Sequence, residues 1–198
     1  MYARQYLHMR TSDQRSDSEI LVAAANNPAA FKEIFERHFE SVHRFVARQL
    51  DLECADDATA EVFLRALRGV SGYQARSPDA LPWLLGIAAN VVRAELRDRY
   101  RSRVRSLELI GAREHSARAD GELETVGRLA EVQRALNTLS SEEREPLLMF
   151  AWLDQPYESI AVALGIPVGT VRSRIARARR QLRHELGMEG PEVLSAST

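Results

Sequence analysis

The sequence predicts an all-α protein: two small helical domains joined by a flexible linker. Three observations carry this. Apolar residues recur at spacings of three and four along almost the whole chain, the period of an amphipathic helix. Glycine and proline are sparse, 10 and 7 among 198 residues, which disfavours turn-dense β folds and low-complexity chains. Residues 104–123 lose the period and carry Gly111 and Gly121, dividing the chain. An apolar share of 45% beside 28% charged residues suffices for a core, and the length suits one or two compact domains.

The elements follow in order. Residues 1–15 read as a polar tail. A short helix over 17–27 is capped by Ser16 or Asp17. Pro28 suits the first turn of the next helix, about 29–50. Its buried stripe is Phe31, Ile34, Phe35, His38, Phe39, Val42, Phe45 and Val46. The third helix, about 54–70, buries Phe63, Ala66, Leu67 and Val70. A loop at 71–79 leads to a long helix from about 80 to 103, which closes a first domain of residues 16–103. The linker, 104–123, offers few apolar residues for docking, so contacts between the domains are expected to be weak and their motions independent. The second domain spans 124–187, and 188–198 form a tail.

The net charge of −1 hides a segregation along the chain. Arginine supplies all of the 27 basic residues except Lys32, and its planar fork suits phosphates and base edges. Codon bias accounts for such a preference equally well. Cys54 is the only cysteine, which excludes an intramolecular disulfide or a cysteine zinc site and points to a reducing cytoplasm. The N-terminus has no apolar signal-peptide core, and the longest apolar stretch, Ala80 to Val92, is too short to span a bilayer.

The strongest local signal is YESIAVALGIPVGTVRSRIARARRQLR at 157–183. A short helix ends at Gly165, which suits the left-handed residue after a helix end, and a second opens at Val168 or Gly169. This is the helix-turn-helix layout, whose second helix enters the major groove. On a helical wheel Val171, Ile175, Ala178 and Leu182 share a ~60° arc facing the core. Ser173, Ala176, Arg177 and Arg180 lie opposite, with Arg172, Arg174, Arg179 and Arg183 on the flanks. Six arginines against Glu185 give this helix the cationic surface that groove entry requires. An ordinary solvated arginine helix would look similar without the preceding turn.

The second signal is WLLGIAANVVRAELRDRYRSRVR at 83–105. Asn90, Arg93, Arg97 and Arg101 share an ~80° stripe opposite Leu84, Ile87, Ala88, Val91 and Val92. With Tyr73 and Trp83 nearby, stacking on unpaired bases becomes possible, although a tryptophan there is more often core. The third signal is acidic: Asp56, Asp57 and Glu61. Asp57 and Glu61 repel at i,i+4 by a few tenths of a kcal/mol, which a basic partner would relieve; acids at a helix start also need no partner. The histidines His8, His38, His43, His115 and His184 are scattered, and His38 in the apolar stripe reads as a core residue. No phosphate loop, nucleophile elbow or HExxH occurs, so no enzymatic activity, metal or cofactor is expected.

EVFLRAL at 61–67, WLLGIAAN at 83–90 and the 157–182 segment together resemble the extracytoplasmic-function sigma factors of bacterial RNA polymerase. The resemblance covers about 29–103 and 123–186. It implies a region-two domain that binds the polymerase clamp helices and melts the minus-ten element. It also implies a region-four domain that reads the minus-thirty-five element and binds the β-flap, under control of an anti-sigma factor. By motif match Asp57 and Glu61 fall on the clamp contact. Asn90, Arg93, Arg97 and Arg101 fall on the minus-ten surface, and the 71–79 loop, with Tyr73 and Arg76, falls where an unpaired base is captured. Thr170, Arg172, Ser173, Ala176, Arg177 and Arg180 fall on the minus-thirty-five reading face. Three departures stand out: Ala60 where the family has Gln or similar, Pro146 where an apolar residue is usual, and a 71–79 loop one residue longer. After a cap at Ser141, Pro146 would cost a helix hydrogen bond or force a later start. The competing readings are a stand-alone helix-turn-helix regulator, dimeric on duplex DNA, and a helical adaptor without nucleic acid.

Overall fold

The computed structural model describes residues 15–73, 79–110 and 124–188, and these contain no strand. The helices are α1 (Asp17–Asn26), α2 (Phe31–Ala47), α3 (Leu52–Gly69), α4 (Leu81–Ile110), α5 (Glu124–Thr138), α6 (Ser141–Leu153), α7 (Tyr157–Leu164) and α8 (Val168–Glu185). Single 3₁₀ turns at Pro28–Ala30 and Val70–Gly72 join them. No single described helix is long and apolar enough to cross a membrane.

Ser16, rather than Asp17, caps α1. Its Oγ accepts from the Glu19 N–H at 3.3 Å while the Glu19 carboxylate accepts from the Ser16 N–H at 2.7 Å, a reciprocal capping box. That frees Asp17 for burial. In α2 the three-and-four stripe buries Phe31, Ile34, His38, Val42, Phe45 and Val46. Phe35 and Phe39, expected in that stripe, remain about two-fifths exposed, packed on Phe63 of α3 at its rim. Helices α2, α3 and α4 pack on one another, with α1 laid across α2 and the Val70–Gly72 turn.

Helix α4 does not stop near residue 103. It continues through Ile110, into the segment expected to be linker, and at 1.5 Å per residue its 30 residues reach about 45 Å. In the second helical set α6, α7 and α8 enclose Leu148, Met149, Ile160 and Ile175. The cap of α6 is Ser140, one residue earlier than expected, and the helix runs through Pro146. Pro146 removes the donor for the Glu142 carbonyl, and Glu142 itself is exposed.

The expectation of weakly interacting domains fails. Helix α7 packs on α4 and α6 on α2, and one apolar cluster runs through both sets. The Arg48 guanidinium lies 4.9 Å from the ring centroid of Trp152, and Gln133 Nε2 donates to the Arg48 carbonyl at 3.0 Å. The contact is made by helix faces, and its closest point depends on a missing side chain: a Cβ at Gly86 would lie 2.4 Å from the Ala163 carbonyl oxygen.

Candidate nucleic-acid interface

Helix α7 ends on Gly165 at φ +65°, a conformation that glycine adopts without strain. The Ile166 N–H reaches back to the Ala161 carbonyl at 3.1 Å, and α8 starts after Pro167. The two helices bend by 102° at this turn, within the helix-turn-helix range. Val171, Ile175 and Ala178 are buried and Leu182 half-buried, as the wheel requires. Arg172, Ser173, Ala176, Arg177 and Arg180 are exposed, and Thr170 is half-buried.

The arginines of α8 divide into three groups. Arg174 pairs with Glu142 at 2.6 Å, and Arg177 lies 3.7 Å from Glu143, both at the start of α6. Arg179 rests on Phe150 at 4.8 Å and Arg172 lies 6.0 Å from the Tyr157 ring centroid. Arg180 and Arg183 extend from an exposed surface.

On α4, Asn90, Arg97 and Arg101 are exposed and Arg93 is half-buried. Asn90 borders a cavity of about 450 Å³ whose walls include Tyr73, Asp79, Trp83, Gly86 and Ala163. The Tyr73 and Trp83 rings meet at 4.9 Å. Trp83 is therefore half-buried on the cavity wall rather than sealed in the core. Burial, reinforced by the charges of Asp17 and Asp79, pushes the Tyr73 phenol up, keeping it neutral. Arg76 lies outside the described residues.

Arg93 connects the two helical sets. Its Nε donates to the Ala89 carbonyl at 3.1 Å and lies 3.0 Å from Glu145 Oε1 of α6, an approach without hydrogen-bond geometry. Burial pushes the Glu145 carboxyl up to about 7; Arg93, Arg144 and Arg174 pull it down only in part. Burial likewise lowers the Arg144 guanidinium. The Asn90–Arg101 stripe, expected to face the minus-ten element, is thus not one open face. Asn90, Arg97 and Arg101 face solvent, while Arg93 is engaged across the contact.

The acidic site sits on α3. Asp57 is exposed; Glu61 accepts from Arg65 Nε at 2.7 Å, and Asp56 pairs with His43 at 2.9 Å. The repulsion expected between Asp57 and Glu61 is relieved within the helix, by Arg65. Arg99 clamps Asp51 at 2.7 and 3.0 Å and also bonds the Cys54 sulfur. That clamp holds the Asp51 carboxyl down at about 2.

Sequence reasoning placed His38 in the core but missed its partner. Asp17 is fully buried and accepts from His38 Nε2 at 2.6 Å, from Arg37 Nη1 at 2.9 Å and from the Ala80 N–H at 2.9 Å. Burial alone would raise its carboxyl; these donors outweigh burial and hold it well below the usual carboxylate range. An acid in the first turn looks like a dipole residue, so no sequence signal marked it.

Two family models match the chain: Sigma-70 region 2 over residues 34–102, and Sigma-70, region 4 over residues 129–182. The extracytoplasmic-function RNA polymerase sigma factor SigC of Mycobacterium tuberculosis is 39% identical over 173 residues, covering 87% of this chain and 91% of that one. The sigma factor RpoE of Bartonella quintana, solved with the anti-sigma factor NepR, matches with a TM-score of 0.62 at 23% identity, over 81% of this chain and 98% of that one. CnrH, solved with the cytosolic domain of CnrY, matches at 0.65 and 24% identity, over 88% and 99%. These last two likenesses show a shared fold.

Proposed function

Because this chain belongs to the extracytoplasmic-function sigma factors of the sigma-70 family, we propose the following division of its surfaces. The chain binds core RNA polymerase, recognises and melts specific promoters, and so starts transcription. Asp57 and Glu61 face the polymerase clamp. Asn90, Arg97 and Arg101, with Arg93 once released, face the minus-ten element, and the Tyr73–Trp83 ring pair, uncovered when α7 leaves, meets an unpaired base. Arg172, Ser173, Ala176, Arg177 and Arg180, with Thr170 at the helix start, face the minus-thirty-five element. The second helical set also meets the β-flap. An anti-sigma factor, as in the structural neighbours, would hold the chain inactive in the cytoplasm. This is a binding role, and it calls on no catalytic group or cofactor.

The observation that carries the reading is the presence of two different nucleic-acid surfaces in one chain. One is a groove-sized arginine helix; the other is an Asn/Arg stripe beside an aromatic-walled cavity. A stand-alone regulator would leave the second unused. The elements named minus-ten and minus-thirty-five lie about 25 base pairs apart, or ~85 Å at about 3.4 Å each. Helices α4 and α7 are in contact, so the two sets must separate on the promoter. The closed arrangement is then the form of the free chain.

Run-off transcription with core polymerase and a genomic promoter library tests this. Promoter-specific transcripts are expected, with no tight gel shift by the chain alone. Tight dimeric binding to a palindrome without polymerase, and no transcript, would overturn it in favour of the regulator.

A further inference from the structure

We propose that Glu145 is a proton-operated latch between the two helical sets: a proton on its carboxylate holds α6 and α7 against α2 and α4, and its release lets them part. The proposal rests on the promoter reading above, in which the sets must separate before the chain can span a promoter.

Glu145 lies on the side of α6 that meets the first helical set. Trp152, seven residues further on and so on the same face, lies under the Arg48 guanidinium of α2 at 4.9 Å. Glu145 Oε1 itself lies 3.0 Å from Arg93 Nε of α4. Residues 144–149 are buried without a break, whereas a surface helix packed on one side only leaves its opposite face to water. The remaining cover comes from across the contact, from α2 and from Arg93. The charges acting on the carboxyl are Arg93 from α4, Arg174 from α8, and Arg144 and the like-charged Glu142 from α6 itself. Helix α2 brings Arg48, which rests on Trp152, and α7 brings no charge that acts on this carboxyl.

As a carboxylate, Glu145 lacks partners. Its Oε1 makes no hydrogen bond among the described residues, and neither does the buried Nε of Arg144. Arg93 Nε donates instead to the Ala89 carbonyl at 3.1 Å. A buried charge with incomplete partners is costly, whereas a protonated carboxyl sheds the charge and keeps its place. Burial holds the group at about 7, above its ordinary 4.5, and separation of the sets returns this face of α6 to water. The closed form therefore holds the proton more tightly than the open form. Acid favours closure, and the advantage is lost as pH rises through about 7. A static brace needs no carboxyl here, since an apolar side chain of that volume would fill the contact as well. Val162 and Ala163 of α7 stand beside Trp83 and Asn90 in the closed form, so the same proton governs whether that surface is free.

The test uses the free full-length chain, labelled on α3 and α8, without polymerase or DNA. Energy transfer reads the closed-to-open ratio between pH 5.5 and 8. With the carboxyl at about 7 when closed and 4.5 when open, the ratio is expected to be about 30-fold higher at pH 5.5 than at pH 8. Glu145→Gln, neutral at every pH, is expected to stay closed throughout. Histidine is the other side chain that takes up protons in this range; the variant keeps every histidine, so its difference from the parent belongs to Glu145. A parent ratio that changes by less than about threefold overturns the proposal, as does a variant that keeps the parent's slope. If the variant does not fold by circular dichroism, nuclear magnetic resonance of the parent decides. The Glu145 carboxyl carbon is then expected to titrate with the midpoint of closure, and a different midpoint overturns the proposal. Run-off transcription at pH 8 tests the promoter reading separately: no promoter-specific transcript removes that reading, whereas a closed-to-open ratio indifferent to pH removes the latch alone.

Discussion

Replacing Gly86 with alanine sets helix propensity against the contact between the two helical sets. Gly86 lies inside α4, where alanine is favoured by about 0.8–1.0 kcal/mol. The added Cβ would lie 2.4 Å from the Ala163 carbonyl oxygen and 3.3 Å from its carbonyl carbon, whereas ordinary contact begins at 3.4 Å. The obstacle is backbone, not a side chain that can swing aside, so α7 must retreat by roughly 1 Å. Overpacking of this kind costs about 1–3 kcal/mol, which lowers the closed-to-open ratio about 5- to 150-fold. Helix α6, packed on α7, is expected to follow, lengthening the 3.0 Å approach of Arg93 to Glu145. Energy transfer between labels on α3 and α8 of the free chain should fall, while helicity is unchanged or slightly raised. An unchanged closed population, or a loss of helicity in α4, would refute this account of the contact.

Three further outcomes are expected. Glu145, raised to about 7 from its ordinary 4.5, keeps a proton in the folded chain that the unfolded chain releases. Its contribution is therefore complete below about 4.5, declines as pH rises, and is gone above about 7, a change on the order of 3 kcal/mol; in thermal melts Glu145→Gln should flatten stability between pH 5 and 7.5, and an unaltered slope would sink the assignment. Arg177→Ala should cost ~1–3 kcal/mol at one or two base pairs of the upstream element, whereas Arg183→Ala should weaken all promoters alike and flatten the salt slope by about one unit; an equal loss on every single-base variant would make Arg177 a phosphate contact only. Asp57→Arg should weaken pull-down of core polymerase without altering circular dichroism, and unchanged pull-down would leave Asp57 as plain solvated surface.

Helix α8 was legible because periodicity and turn chemistry agree there: the Val171–Ile175–Ala178 face and Gly165 leave one solution. The α2 stripe was legible at its centre and misjudged at its edges, where Phe35 and Phe39 fall at the boundary between neighbour and solvent. The end of α4 was missed because arginine-rich sequence near residue 104 carries no stop signal, and loss of apolar period resembles loss of helix. The contact between the sets was invisible for a different reason. It depends on Gly86 meeting a backbone carbonyl and on Glu145 meeting Arg93, pairings that bridge separate elements. Asp17 has the same character, since its three donors come from Arg37, His38 and Ala80.

The glutamates that open α6 bear on how α8 would respond to salt. Glu142 lies 2.6 Å from Arg174, and Glu143 lies 3.7 Å from Arg177. In effect the chain supplies its own counterions where mobile ions would otherwise gather. A phosphate arriving at either guanidinium displaces a tethered carboxylate, which cannot diffuse away, so no dissolved ion is released and no entropy of dilution is gained. The logarithm of affinity against the logarithm of salt concentration should therefore be shallower than the number of arginines on α8 implies. The cations without such partners, Arg180 and Arg183 among them, would set that slope. Carboxylates packed beside a cationic helix thus make attachment to DNA less sensitive to the ionic strength of the surroundings.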